Sequence, residues 1–277
     1  MMEPSETGHS ADAPAYVRPP RRIPNLLHLM LLVAVTCAAL LLCEGVLIAF
    51  HPHAVLKTME DQRLQVIVNA AMYVVALAVA IPLFPKVWHR SFADGIRWHW
   101  RGAHLLLILL GVLLSLIVQG SSNFIPEPKS SPIEQVFTTP GIIWILALFG
   151  TFAAPLFEEI VFRGFMLPAL ALNYDYLSLP KSLEALDAWR ASDKMSTAGL
   201  LFASIITSLC FAGIHAPQLG GAWAAVALLF GVSLVLCYVR LRFKSVAAST
   251  LVHVSYNASI FVVLFVQTGG FRHMERL

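Results

Sequence analysis

Charge is what this sequence has least of. Of 277 residues only 13% are Asp, Glu, Lys or Arg, against 58% hydrophobic, and the mean hydropathy of +0.73 lies far above that of soluble globular chains. The scarcity excludes a solvated enzyme and predicts a polytopic membrane protein. A net charge of +3, with Lys and Arg spread between apolar blocks rather than gathered in a patch, excludes a nucleic-acid partner. Cysteine is sparse as well: Cys37, Cys43, Cys210 and Cys237 all fall inside apolar stretches. That placement offers neither a disulfide framework nor a CxxC metal pattern, and the four read as small core hydrophobes. Two hydrolytic motifs are also missing. Without a Gly-x-Ser-x-Gly elbow or a His-Glu-x-x-His pair, neither an intramembrane serine mechanism nor a zincin mechanism has its residues.

What the chain does have is long apolar runs. A helix needs about 20 apolar residues to cross the hydrocarbon, and seven stretches come close to that or exceed it: Asn25–Phe50, Leu64–Phe84, Ala103–Gly120, Gly141–Leu172, Thr197–His215, Ala222–Arg240 and Ser245–Gln267. The expected fold is an all-α membrane bundle of about seven helices, with eight as the alternative count, enclosing a polar cavity. Residues 1–24, polar and Pro-rich, are expected to be a disordered cytoplasmic tail. Residues 25–267 are expected to be a single transmembrane domain, and residues 268–277 a short C-terminal tail. Arg18, Arg21 and Arg22, then Lys86, Arg90, Arg97 and Arg101, then Lys181, Arg190 and Lys194, then Arg242 and Lys244 load alternate loops. The positive-inside rule therefore places the N-terminus in the cytoplasm and the C-terminus outside, with only Arg272 and Arg276 pulling the other way. The third loop, at 121–140, is rich in Pro and Ser and is expected to be irregular. "SLEALDAWRA" carries Leu183, Leu186 and Trp189 at helical spacing and predicts a short amphipathic helix on the membrane surface.

Within the seven spans, apart from Arg240 at the end of the sixth beside Arg242 and Lys244 of the cytoplasmic loop, the formal charges are Glu44, Glu158, Glu159 and Arg163. A charge near the bilayer centre costs about 2.5–3.5 kcal/mol on the lenient insertion scale, so the cluster in "FEEIVFRGF" needs a reason. Glu159 and Arg163, four residues apart, can neutralise each other on one helix face. Glu158 lies about 100° round the helix and has no intrahelical partner. "FAGIH" places Phe211 and His215 one turn apart in the fifth span, and "HVSYN" does the same for His253 and Asn257 in the seventh. One histidine in an apolar helix is ordinarily a hydrogen-bonded core residue, and one asparagine is ordinarily interhelical glue. Together with the carboxylate pair they make a set able to hydrolyse an amide. A carboxylate and an imidazole can activate a water, and a second imidazole and an amide NH₂ can stabilise the oxyanion.

The motifs "EEIVFR", "FAGIH" and "HVSYN", in this order, together with Gly164 and the run from Leu228 to Ser259, resemble the CPBP family of intramembrane proteases. That family includes the type II CAAX prenyl endopeptidases and bacterial bacteriocin-processing or immunity proteins. The resemblance covers about 155–258. It implies that Glu158 activates water with His215, and that His253 and Asn257 stabilise the oxyanion. Glu159, Arg163 and Phe211 are then supporting residues. It also implies a metal-free, glutamate-dependent mechanism with no cofactor. Glu and His side chains can equally hold Zn²⁺, and a metal-dependent enzyme would use Glu158, His215 and His253. The implied substrate is a membrane-associated peptide or protein, lipidated in the CAAX case or a leader peptide in the bacterial case, reached through membrane lipid. The compartment is a bacterial inner membrane or a eukaryotic endomembrane.

Two other classes remain beside the peptidase: a non-catalytic scaffold or immunity protein of the same fold, and a proton-coupled carrier. A carrier of that kind usually shows inverted repeats and broken helices, and neither is visible here. Depth sets one further expectation. His215 lies about 18 residues, ~27 Å, from the inner end of its span, whereas Glu158 and His253 fall nearer the cytoplasmic half of theirs. The fifth helix is therefore expected to begin well inside the cytoplasm, with a strong tilt or shifted span limits as the alternatives.

Overall fold

A computed structural model of the chain describes residues 22–50, 62–100, 102–122 and 142–273. Most of the expected N-terminal tail, the first outer loop and nearly all of the irregular third loop lie outside those residues, as do residues 274–277. The described residues are helical throughout, without strands. In chain order they form α1 (Leu26–Phe50), α2 (Gln62–Trp88), the short α3 (Phe92–Ile96) and α4 (His104–Ser122). The fourth span follows as α5 (Ile143–Leu148), π1 (Phe149–Ala153), α6 (Ala154–Glu159), π2 (Ile160–Met166) and α7 (Leu167–Leu177). The surface helix α8 (Leu183–Ala191) precedes α9 (Thr197–His215), α10 (Trp223–Phe243) and α11 (Val246–Gln267). Among the described residues seven helical spans are long and apolar enough to cross a membrane. α8 carries the amphipathic pattern and is capped by the Ser182 hydroxyl, which accepts from the Ala185 N–H at 3.1 Å.

The fourth span is the hub. It is continuous over Ile143–Leu177 and packs against α1, α2, α9 and α11. On one side Phe165 enters an aromatic cluster with Phe84, Trp88 and Phe92, and Leu29, Leu32 and Ile96 close around it. On the other side Leu167 and Ala171 meet Ala203 and Cys237. α4, α10 and α11 form a second cluster around Leu107, Val232, Leu236, Val252 and Tyr256. Helices in lipid associate through close van der Waals packing rather than water exclusion, so small residues set how near they come. Gly111 of α4 is such a contact: a Cβ there would lie 2.7 Å from the Ser255 Cβ and 3.0 Å from the Tyr256 nitrogen of α11.

Two expectations about span limits change. The fourth span continues to Leu177, past the expected Leu172. α9 begins at Thr197 rather than earlier in the preceding loop, because the Ser196 hydroxyl caps it by accepting from the Gly199 N–H at 2.9 Å. Charge inside the spans also extends beyond the expected four residues. Asp175 lies in α7, Lys86 in α2, and Arg240, which reads as part of a cytoplasmic cluster with Arg242 and Lys244, is buried in α10.

Gly111→Ala is expected to force α4 away from α11 and to destabilise the bundle by about 1–3 kcal/mol, the usual cost of overpacking. The check is the thermal unfolding midpoint in detergent. An unchanged midpoint would show that the two helices separate without cost.

Candidate active site

The fourth span places its carboxylates on a deformed stretch of helix. The six residues of α6 sit between two π-helical segments, a widening that is rare in helices and common at functional sites. Each π segment is followed by a proline at the second position of the next helix, Pro155 and Pro168. In π geometry the N–H of a residue bonds the carbonyl five residues earlier, as Ala154 bonds Phe149 and Leu167 bonds Phe162. The next residue in each case is a proline, which has no N–H. The carbonyls of Gly150 and Arg163 are thereby left for other donors. Asn257 Nδ2 donates to Gly150 at 2.6 Å, and Arg240 Nε donates to Arg163 at 3.3 Å.

Between these anchors Glu159 is fully buried. Its Oε1 accepts from Arg163 Nη1 at 2.9 Å and from His253 Nδ1 at 3.0 Å. Arg163, fully buried as well, sends Nη2 to the Ser233 hydroxyl at 2.6 Å and to the Ser233 carbonyl at 3.1 Å, and its guanidinium lies 4.8 Å from the Phe211 ring. The expected pair is therefore present and reaches three other helices. Because a carboxylate only accepts, the bond to Glu159 requires that His253 Nδ1 carry the proton, which directs Nε2 to the other carboxylate. His253 Nε2 is 3.8 Å from Glu158 Oε2. That gap is too long for a hydrogen bond between them and suits a small molecule held by both. Glu158 keeps 13% of its side chain exposed, where Glu159 has none.

His215 is oriented by its own helix: Nδ1 donates to the Phe211 carbonyl at 2.7 Å, leaving Nε2 as the free acceptor. The Phe211 ring lies 4.7 Å from the His215 ring and 5.8 Å from that of His253, so one aromatic spaces the two imidazoles. His215 makes no direct hydrogen bond or ion pair with Glu158 among the described residues. The two nevertheless share a level in the bundle. α7 and α9 run antiparallel, with Asp175 accepting from Ser196 and Phe162 5.3 Å from Phe211. Four residues further along each helix come Glu158 and His215. Glu158 lies nineteen residues before Leu177 and His215 eighteen after Thr197, about 28 Å and about 27 Å at 1.5 Å per residue. The depth mismatch of the sequence reading arose from the fourth span's inner limit, not from the start of α9.

Several contributors carry little signal in the sequence. Ser233 is one serine in an apolar helix, and Tyr73 of α2 stacks on Phe157 at 4.0 Å within electrostatic reach of Glu158. Arg240 looks like an ordinary membrane-edge cation. The prolines five residues after Gly150 and Arg163 are a readable cue, but only once a π turn is known to precede each.

The donor set does not make a metal centre as arranged. No three His, Cys, Asp or Glu side chains converge on one point among the described residues. Glu159 Oε1 is already shared by Arg163 and His253, and Glu158 and His253 lack a third ligand between them.

Residues 140–259 match the family model "Type II CAAX prenyl endopeptidase Rce1-like". The matched stretch contains every motif residue named above. No curated protein matches the chain, and no solved structure does.

Arg163→Ala leaves Glu159 as a buried carboxylate without its cation, and is expected to cost about 3–5 kcal/mol of stability. Ser233→Ala removes one hydroxyl contact and should cost about 1 kcal/mol. Denaturant titration in micelles separates the two, and equal losses would mean that Arg163 is not the pivot.

Proposed function

We propose, taking as premise that residues 140–259 form a domain of the type II CAAX prenyl endopeptidase family, that this chain is an intramembrane peptidase using Glu158 and His253 as its reacting pair. The observation that supports it most is the 3.8 Å gap between Glu158 Oε2 and His253 Nε2, one side of which is held by Glu159 and Arg163. Charge balance gives the pair its chemistry. Glu159 and Arg163 cancel, so the buried cluster is neutral only when Glu158 and His253 hold one proton between them.

With that proton on His253 Nε2, Glu158 is the base. It takes a proton from water as the water oxygen bonds to the scissile carbonyl carbon. His215 Nε2 accepts the water's other hydrogen and orients it. The carbonyl oxygen becomes an oxyanion, met by the His253 Nε2–H and by the Asn257 N–H that Gly150 does not occupy. The C–N bond then breaks, and the proton on Glu158 passes to the leaving nitrogen. The substrate this reading favours is a membrane-associated protein of the prenylated CAAX class, with leader-peptide processing as the bacterial alternative. Either would reach a site enclosed by helices from within the lipid.

Purified protein with a panel of membrane-tethered peptides, farnesylated CAAX peptides included, tests the assignment. Glu158→Gln is expected to lower kcat by about 10²–10⁴, the range for a lost general base. Glu44→Ala, an exposed acid on α1, should cleave like wild type. Full activity in Glu158→Gln would end the assignment, and loss with chelator that Zn²⁺ restores would replace the mechanism with a metal-dependent one. Asn257→Ala should lose about 10²–10³ in kcat with KM little changed; an effect confined to KM would make Asn257 a substrate-binding group.

A further inference from the structure

A cavity of about 810 Å³ lies remote from the acid pair. It opens at the end of the bundle where α1 begins and α2 and α7 finish, beneath the surface helix α8. One wall is apolar, built by Ile23, Leu26, Leu27, Val87, Ala169 and Leu172. It continues into the unpacked face of α1, where Leu27 is 73% and Met30 61% exposed. Arg22, Trp88, Trp189 and Arg190 form its donor-bearing rim, and no Asp or Glu among the described residues lines the cavity.

These rim groups are all donors. Trp88 is buried to 1% exposure, and among the described residues neither its Nε1–H nor that of Trp189 has a partner. An unsatisfied buried N–H is costly and calls for an acceptor. Arg22 is set in place by its own bonds, donating Nε and Nη2 to the Trp189 carbonyl and Nη1 to the Lys194 carbonyl, with its guanidinium 4.1 Å from the Trp189 ring. All three bonds are to backbone oxygens, and the carboxylates that act on Arg22, Asp175 and Asp193, do so through space from outside the cavity lining. Arg190 reaches Asp187 only at 3.7 Å, in an exposed pair, of the kind that contributes little and yields readily to another anion.

We propose that this cavity binds an anionic phospholipid from the leaflet that meets this end of the bundle. The phosphate is held by Arg190, Arg22 and the two indole N–H groups, and an acyl chain lies along the α1 wall. Two cations and two unpaired N–H groups fit a phosphodiester. The absence of a carboxylate in the lining gives no partner to the ammonium of a zwitterionic headgroup, so the site selects for net negative charge. Bound there, the lipid ties α8 and the entry to α1 onto the ends of α2 and α7. The site is independent of the catalytic assignment, since none of its residues belongs to the acid–histidine cluster.

Native mass spectrometry of the full-length protein in detergent tests it, with phosphatidylglycerol, phosphatidylcholine, glycerol phosphate and inorganic phosphate as probes. Phosphatidylglycerol is expected to bind saturably and more tightly than phosphatidylcholine. Arg190→Gln, a change at an exposed side chain, should weaken it about fivefold, the usual effect of one basic group near an anionic lipid. Trp88→Phe, which keeps the ring and removes the N–H, should weaken it about threefold or more. Equal binding of the two lipids, or affinity for phosphatidylglycerol unchanged in both variants, overturns the proposal. So does binding of glycerol phosphate or inorganic phosphate as tight as that of the lipid, because the apolar wall would then contribute nothing.

Discussion

One oxygen atom organises the centre of this protein. Glu159 Oε1 accepts from both Arg163 and His253, which joins the fourth span to α11 and, through Arg163 and Ser233, to α10. Removing Glu159 or Arg163 would leave the other as a charge without its counterpart where water cannot replace it. The bond also sets the tautomer of His253, and so the chemistry offered to Glu158. Stability and reactivity are thus linked at one atom: the oxygen that pairs with the buried Arg163 is the one that orients the imidazole.

The imidazoles of the site are held in different ways. α4 and α11 approach to the limit that Gly111 allows, so His253 and Asn257 sit on a helix with little freedom to shift. His215 is at the last residue of α9, followed by a turn, with its ring fixed mainly by the Phe211 carbonyl one turn back.

Much of this was legible in the residues. The seven spans follow from hydropathy, and the Glu159–Arg163 pair follows from i, i+4 spacing, because both depend on local geometry alone. The proximity of Glu158 to His253 rather than to His215 was not legible. Spacing along a helix says which face a side chain occupies, but not how far it is from a group on another helix. Arg240 was misread for a related reason. Positive charge at a helix end ordinarily marks the membrane edge, and only the tertiary structure shows the Arg163 carbonyl it serves. The depth of His215 depended on where the fourth helix stops, and nothing apolar distinguishes residues 173–177 as part of it.

The two prolines of the fourth span have a consequence for how this segment can change over evolutionary time. Pro155 and Pro168 each free one carbonyl, and each carbonyl is taken by a side chain from a different helix, Asn257 in one case and Arg240 in the other. Substitutions between them alter chemistry one position at a time. A single inserted or deleted residue would turn one anchor about 100° relative to the other, so that both could not be engaged at once. The interval between the prolines therefore acts as a fixed ruler, open to spelling changes but closed to changes in length.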